Sequence, residues 1–340
     1  MDKLIAPKSW MKMHDYYKDA ITKDWYKNIA LIQSELVNLT FDFFRMKDIK
    51  SVCLPITTGA VTSPMGLGSD SLPVKINLFN IDTYLADSMQ FHLEYMLRYI
   101  DSGVHYIMPT FRGEEADERH LCQFYHSEAE IIGNLSDVMS LVNEYILFLL
   151  ENLLNSCENA ILNLAGTTEH ITDIIKIMKN GIKTITFNEA MELLKDDDKY
   201  FIEYKNPNFR TITPLGEQEL MKLYNGIVWV TNYDYASIPF YQKKADDGLT
   251  GLNADLLFGI GEVVGCGERN ETYEQLISSM NEHCTAVEGY EWYLYMKKYF
   301  PIKSSGFGMG MERFLLFVIH HKDIRDIQLI PRFNGIEILP

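Results

Sequence analysis

The chain has 340 residues, 47% hydrophobic and 23% charged, which is enough apolar material for a sizeable core in one large domain or two ordinary ones. Its 31 Lys and Arg stand against 47 Asp and Glu, a formal net charge of -16, which excludes a broad electrostatic grip on nucleic acid while leaving room for a local basic patch. The five cysteines (Cys53, Cys122, Cys157, Cys266, Cys284) form no CxxC pair, the N-terminus lacks a signal peptide's apolar core, and the longest purely apolar run, "YILFLL", is too short for a membrane span. The expected setting is therefore the reducing cytoplasm, with no membrane partner.

In chain order, Trp25, Ile29, Ile32, Leu36, Leu39 and Phe43 recur at three- and four-residue steps and predict a helix over about 23–45. A second helix is predicted to begin near Ser136-Asp137 and to run through "VMSLVNEYILFLLENLLN". Residues at about 156–222 are more polar, include "LLKDDDKYF", and are read as a helical insert within one core. "GIVWVTNY" (226–233) reads as a buried strand, and a last helix follows the glycines at 306–310. Helices first, then strands, an insert, strands and a final helix fit an α+β fold with an antiparallel sheet better than alternating βαβ units.

Three stretches carry chemistry. In "PTFRGEEADERHLCQFYHSEAEI" (109–131), Arg112 and Glu114 share one face of an extended segment, as do Phe124, His126, Glu128 and Glu130, with a polar loop bearing Arg119 and His120 between them. An arginine suits a phosphate, an aromatic ring suits an adenine, and a carboxylate suits an ammonium. A charged exposed hairpin is the plain alternative. In "NADLLFGIGEVVGCGERNE" (253–271), Asp255 and Glu262 flank a Gly259/Gly261 turn, and two such carboxylates on neighbouring strands can hold Mg²⁺ together with substrate phosphates. In "SSGFGMGMERFLLF" (304–317), the third dinucleotide glycine would be Met311 and no Gly-Lys-Ser/Thr follows, so neither a dinucleotide fingerprint nor a P-loop is present. Met311, Phe314, Leu315, Val318 and Ile319 form one buried helix face, with Glu312 and Arg313 beside it. Arg313 suits a planar ring or a phosphate, and a tight turn with a solvated charge pair is the alternative.

Taken together, these stretches resemble the signature motifs of class II aminoacyl-tRNA synthetases, most closely the asparaginyl/aspartyl subgroup. "FRGEEADERHLCQF" resembles the second motif, "GFGMGMERF" the third, and "LPITTGA" (54–60) the end of the first. "YLADSMQFHLEYML" resembles the amino-acid-pocket segment, "VWVTNYDYASIPFYQKKADDGLTGLNADLL" follows the asparaginyl enzymes almost phrase by phrase, and "DIRDIQLIPRF" resembles their ending. The resemblance covers about residues 30–340. It implies a class II aminoacyl-tRNA synthetase-like six-stranded antiparallel sheet flanked by helices, and a homodimer with Pro55 at its interface. The implied cofactors are ATP and Mg²⁺. The implied reaction is attack of an amino-acid carboxylate on the α-phosphate of ATP, giving an aminoacyl adenylate and pyrophosphate. Carried over by position, Arg112 would hold the α-phosphate and reacting carboxylate, and Glu114 would sit near the adenine amino group. Arg119 and His120 would meet the outer phosphates, Gly310 would lie against ATP, and Phe124 and Arg313 would sandwich the adenine. Asp255 and Glu262 would bind Mg²⁺, Glu128 the α-ammonium, and Ser88, Gln90 and Arg269 would line the amino-acid pocket.

The expected organisation is a single catalytic domain over 1–340 without the β-barrel domain that reads the anticodon. That makes tRNA an unexpected partner and points to stand-alone cores resembling asparagine synthetase, an AMP-forming ligase that activates an aspartate- or asparagine-like amino acid and passes it to ammonia or a small amine. The alternatives are a truncated enzyme acylating tRNA or another macromolecule, and a catalytically silent regulatory paralogue. Three positions depart from the subgroup pattern: Leu93 replaces the lysine of aspartate-activating members, Gln123 replaces a glutamate, and "TSPMGLGSDS" (62–71) lacks an acidic lid pattern.

Overall fold

The computed structural model describes residues 3–62, 67 and 71–337; most of the 62–71 lid stretch lies outside them. From the N-terminus come α1 (Tyr16–Thr22), α2 (Asp24–Met46), β1 (Lys50–Ser51), β2 (Thr57–Thr58), β3 (Val74–Leu78), β4 (Ile81–Leu85), α3 (Gln90–Met96), β5 (Val104–Phe111) and β6 (Gln123–Ile132). Then follow α4 (Leu135–Ala165), α5 (Glu169–Asn180), β7 (Thr184–Thr186), α6 (Phe187–Leu194), β8 (Phe201–Lys205), β9 (Asn208–Ile212), α7 (Pro214–Leu223) and β10 (Ile227–Thr231). The last elements are β11 (Asn253–Phe258), β12 (Gly261–Glu268), α8 (Tyr273–Glu282), α9 (Glu291–Tyr299), β13 (Ser304–Gly310) and α10 (Met311–Val318).

The main sheet has the order β1-β5-β6-β13-β12-β11-β10-β7. Its six inner strands are antiparallel throughout, and the short outer strands β1 and β7 join in parallel. This is the expected α+β architecture with two added edge strands. One face is covered by α2, α4 and α10, and the predicted apolar positions of α2 are all buried there. Helix α4 starts at a capping box in which Asn134 and Asp137 satisfy each other's backbone N–H groups, and it ends at Gly166 with φ 80.

The stretch expected as a helical insert is more mixed. Its first ten residues are the last turns of α4, and it includes an edge strand and the β8–β9 hairpin besides α5, α6 and α7. The strands of that hairpin are short and mostly partly exposed, so they lack the apolar alternation that marks a strand in sequence. Pro55 is exposed on the stretch between β1 and β2. Among the described residues no helix is long and apolar enough to cross a membrane.

Candidate active site

The two-residue period of the strands decides which side chains meet. On β6, Ser127 Oγ lies 3.0 Å from the Tyr145 hydroxyl of α4, so Phe124, His126, Glu128 and Glu130 face away from the helix layer. On β13, Phe307 packs toward Tyr145 and Phe44, leaving Gly306, Gly308 and Gly310 on the open face. The register then aligns Glu128, Gly308, Gly265 and Asp255 across four neighbouring strands. Two carboxylates thus flank a floor without side chains. A cavity of about 440 Å³ lies over it, and every site residue singled out from the sequence lines it.

At one end stand the residues expected to meet the amino acid. Glu128 accepts a hydrogen bond from Ser88 Oγ at 2.7 Å and another from the Tyr106 hydroxyl, and His126 Nδ1 is 3.0 Å away. Burial opposes its charge, but His126, Tyr106 and Ser88 hold its carboxyl below the ordinary glutamate range. It is a buried anion in search of a cation. Arg269 is not free for that purpose. It donates to Glu130 from Nε at 3.1 and 3.2 Å and from Nη2 at 3.0 Å, with both side chains almost wholly buried. Burial pushes the Glu130 carboxyl up to about 7 despite Arg269. Gly306 makes room for this pair: a Cβ there would fall 1.8 Å from Glu130 Oε2 and 2.6 Å from the Ala129 carbonyl oxygen. The lysine-to-leucine departure is visible too, since Leu93 is buried among apolar neighbours and also lines the cavity.

The other end is cationic and aromatic. The Arg112 guanidinium lies 5.5 Å from the Phe124 ring centre, and its Nε has no hydrogen-bond partner among the described residues. Glu114, 3.9 Å from Arg112, accepts from the Leu72 N–H at 3.2 Å. Arg119 pairs through Nη2 with Glu217 at 2.8 Å and keeps Nε and Nη1 unpartnered. His120 lies against Asp117 at 3.0 Å. Arg313 donates to the Glu262 carbonyl at 2.8 Å and stands beside Gly310, where the nearest atoms to a Cβ would be its own at 3.8 Å.

Between the ends, Asp255 and Glu262 converge on Gly265: a Cβ there would meet Glu262 Oε1 at 2.9 Å and Asp255 Oδ1 at 3.4 Å. Burial and the neighbouring Glu262 push the Asp255 carboxyl well above the ordinary aspartate range. Two hard oxygen donors side by side, the Asp255 carboxyl and the partly exposed Glu262 carboxylate, fit a divalent cation. Among the described residues no group of three or more such ligands exists.

Sequence reasoning passed over Glu217, Tyr233 and Lys297, and named Glu312 without a role. Glu217 comes from α7 of the inserted stretch and carries no motif. Glu312 is buried, not solvated beside the helix face: it accepts from the Tyr125 N–H at 3.0 and 3.2 Å, and burial raises its carboxyl to about 7. The bare glycines before it were read as backbone for ATP to lie against or as a tight turn, and neither reading carries this bond.

A fold of this order, with a cavity that is arginine-lined at one end and acidic at the other, is that of a class II synthetase core. A family model described as class II tRNA synthetases (D, K and N) matches residues 10–334, and the chain belongs to that family. Members are AMP-forming ligases that use ATP, and this chain is an enzyme of that kind. It is 31% identical over 323 residues to an asparagine–tRNA ligase of Malacoplasma penetrans (strain HF-2), covering 91% of this chain and 71% of that one. It is also 31% identical over 268 residues to a probable cytoplasmic asparagine–tRNA ligase of Encephalitozoon cuniculi (strain GB-M1), covering 76% of this chain and 58% of that one. The fold matches crystalline asparaginyl-tRNA synthetase from Pyrococcus horikoshii complexed with asparaginyl-adenylate, with a TM-score of 0.86 at 23% identity over 96% of this chain and 73% of that one. The Entamoeba histolytica asparaginyl-tRNA synthetase with asparaginyl-adenylate gives 0.81 at 19% identity, over 98% and 72%.

Proposed function

We propose that the chain activates asparagine, or an amino acid with a similar neutral amide, as its α-carboxyl adenylate. The observation that carries this reading is the commitment of the pocket's cation. Arg269 is closed onto Glu130 by three hydrogen-bond contacts, and Leu93 stands where a second cation would be needed. A substrate side-chain carboxylate would be buried beside Glu130 with no unpaired cation to meet it, a costly arrangement. A neutral amide can donate and accept there without adding charge. The names of the similar asparagine–tRNA ligases point the same way.

In this reading Glu128 holds the α-ammonium and turns the α-carboxylate toward the α-phosphate. Arg112, with its free Nε, offsets charge on the α-phosphate as the new carboxylate–phosphorus bond forms and the bond to pyrophosphate breaks. Phe124 and Arg313 hold the adenine, Glu114 meets its amino group, and Arg119 and His120 meet the leaving pyrophosphate. Gly308, Gly310 and Gly265 keep the floor bare for these groups. Asp255 and Glu262 would hold Mg²⁺, which when bound supplies charge neutralisation to the phosphates.

The acceptor follows from the substrate. Ammonia as acceptor requires activation of aspartate, which the pocket disfavours. An asparaginyl adenylate is better matched to a ribose hydroxyl at the end of a tRNA, the acceptor named for the relatives. The test is ATP–pyrophosphate exchange over the twenty amino acids, followed by transfer of labelled product to tRNA or to ammonia. Exchange with asparagine and label on tRNA are expected. Exchange with aspartate and ammonia-dependent release of asparagine would overturn the reading.

A further inference from the structure

The amino-acid end of the cavity is backed by a buried ion pair that the reaction does not touch. Lys297 on α9 and Glu94 on α3 are both fully buried and paired with each other. Glu94 lies one turn along α3 from Gln90. Its Oε1 accepts from Gln90 Nε2 at 2.5 Å and from the Tyr293 hydroxyl at 2.7 Å. Arg98, just past the end of α3, donates to the Glu94 main-chain carbonyl, while Glu130 on β6 and Arg269 after β12 are closed onto each other nearby.

Apolar residues of similar volume often serve packing as well as a buried ion pair does. This pair has a further consequence. An ionised carboxylate only accepts hydrogen bonds, so Gln90 must turn its NH₂ toward Glu94. The reverse orientation would set two oxygens against each other. Gln90 Oε1 is thereby left in the cavity wall, buried and without a partner among the described residues.

We propose that Lys297 is a positioning residue for amino-acid binding: by pairing with the Glu94 carboxylate it fixes the Gln90 amide with its oxygen toward the substrate, to accept from a substrate N–H. The proposal rests on the asparagine reading above. The N–H belongs to the α-ammonium or to the side-chain amide. Without Lys297, the buried Glu94 carboxyl loses the cation paired with it and no longer holds the Gln90 N–H₂ in this orientation. The Gln90 amide then turns and sets its own N–H₂ against the substrate's N–H.

The test compares the full chain with Lys297→Met and Lys297→Arg in ATP–pyrophosphate exchange, titrating asparagine, aspartate and ATP. Succinamic acid, which is asparagine without its ammonium, serves as competitor. Lys297→Met is expected to raise KM for asparagine about tenfold or more, with KM for ATP held within about twofold, and Lys297→Arg to restore it. If the oxygen serves the side-chain amide, succinamic acid weakens too and aspartate gains relative to asparagine. If it serves the ammonium, asparagine and aspartate weaken alike and succinamic acid is unmoved. An unchanged asparagine KM, an equal loss for ATP, or no rescue by arginine overturns the proposal. Should Lys297→Met not fold, the double variant Glu94→Gln/Lys297→Met removes both charges at similar volume. The neutral amide it places on α3 both donates and accepts, so it no longer dictates the orientation of Gln90. The same selective loss is then expected, and its absence refutes the relay. A wild type that exchanges with aspartate instead overturns the substrate reading, and the relay is then scored on aspartate's KM by the same criteria.

Discussion

Glu312 shows how one side chain couples the two walls of the cavity. It is the residue before Arg313 on α10, and its carboxyl grips the Tyr125 N–H, between Phe124 and His126 on β6. The residues proposed to sandwich the adenine are therefore held together by a bond one residue away from each. Burial keeps the proton on this carboxyl up to about 7, against an ordinary 4.5. The folded protein thus holds a proton that the unfolded chain releases between those values. The stability this contributes is fully present below 4.5 and is lost as pH rises through about 7, and the whole shift is worth on the order of 3 kcal/mol. Glu312→Gln keeps an oxygen for the Tyr125 N–H and cannot ionise. Thermal midpoints of the two proteins, measured at pH 5 and pH 8, should diverge by about a few degrees in favour of the variant at the higher pH. An equal difference at both pH values would show that Glu312 is ionised throughout.

At the level of elements, α7 reaches from the inserted stretch to the loop between β5 and β6. Its Glu217 holds Arg119 at 2.8 Å, and glycine at position 261 leaves room for the pair as it stands: a Cβ there would lie 2.2 Å from Glu217 Oε2 and 2.7 Å from Arg119 Nη2, and φ is +138. Arg119 has two nitrogens without a partner among the described residues, which in the proposed reading meet the phosphates, while the third is anchored. Glu217→Ala should therefore loosen Arg119 and raise KM for ATP several-fold, about 1 kcal/mol for a largely buried pair, with KM for asparagine unchanged. A lower KM for ATP would mean that Glu217 competes with the phosphates instead of presenting the arginine to them. None of this was legible in the sequence, because the contact joins segments 98 residues apart and α7 has no motif. The helices α2, α4 and α10 were legible from apolar residues at three- and four-residue steps or a polar start, and β10 from its run of β-branched and aromatic residues. The Asp255–Glu262 pair was legible as residues but not as geometry. The β11–β12 register shifts between Leu256 and Leu257, so Glu262 stands opposite Leu257 and turns to the same face as Asp255. Without that irregularity the period of two would put the glutamate on the helix side.

For the molecule as a whole, charge sets two demands against each other. A formal net charge of -16 repels a polyanion, yet the proposed second half-reaction takes place on a tRNA. The cations nearest the proposed chemistry, Arg112, Arg119, Arg313 and Arg269, line the cavity, and all four already face carboxylates, so they offer little to an RNA backbone outside. A protein that neutralises six to ten phosphates loses roughly 10³–10⁵ in affinity between 50 and 200 mM salt, because each contact releases a counterion. With repulsion from the acidic body screened over the same range, the two effects partly cancel. Transfer of asparagine to tRNA should therefore change less than about tenfold between these salt concentrations, with a shallow slope in log rate against log salt. Pyrophosphate exchange in the same buffers is the internal control, since it needs only the cavity. A loss of transfer of about a hundredfold or more, with exchange unmoved, would mean that a local basic face outweighs the acidic whole. The slope would then count the phosphates that face engages.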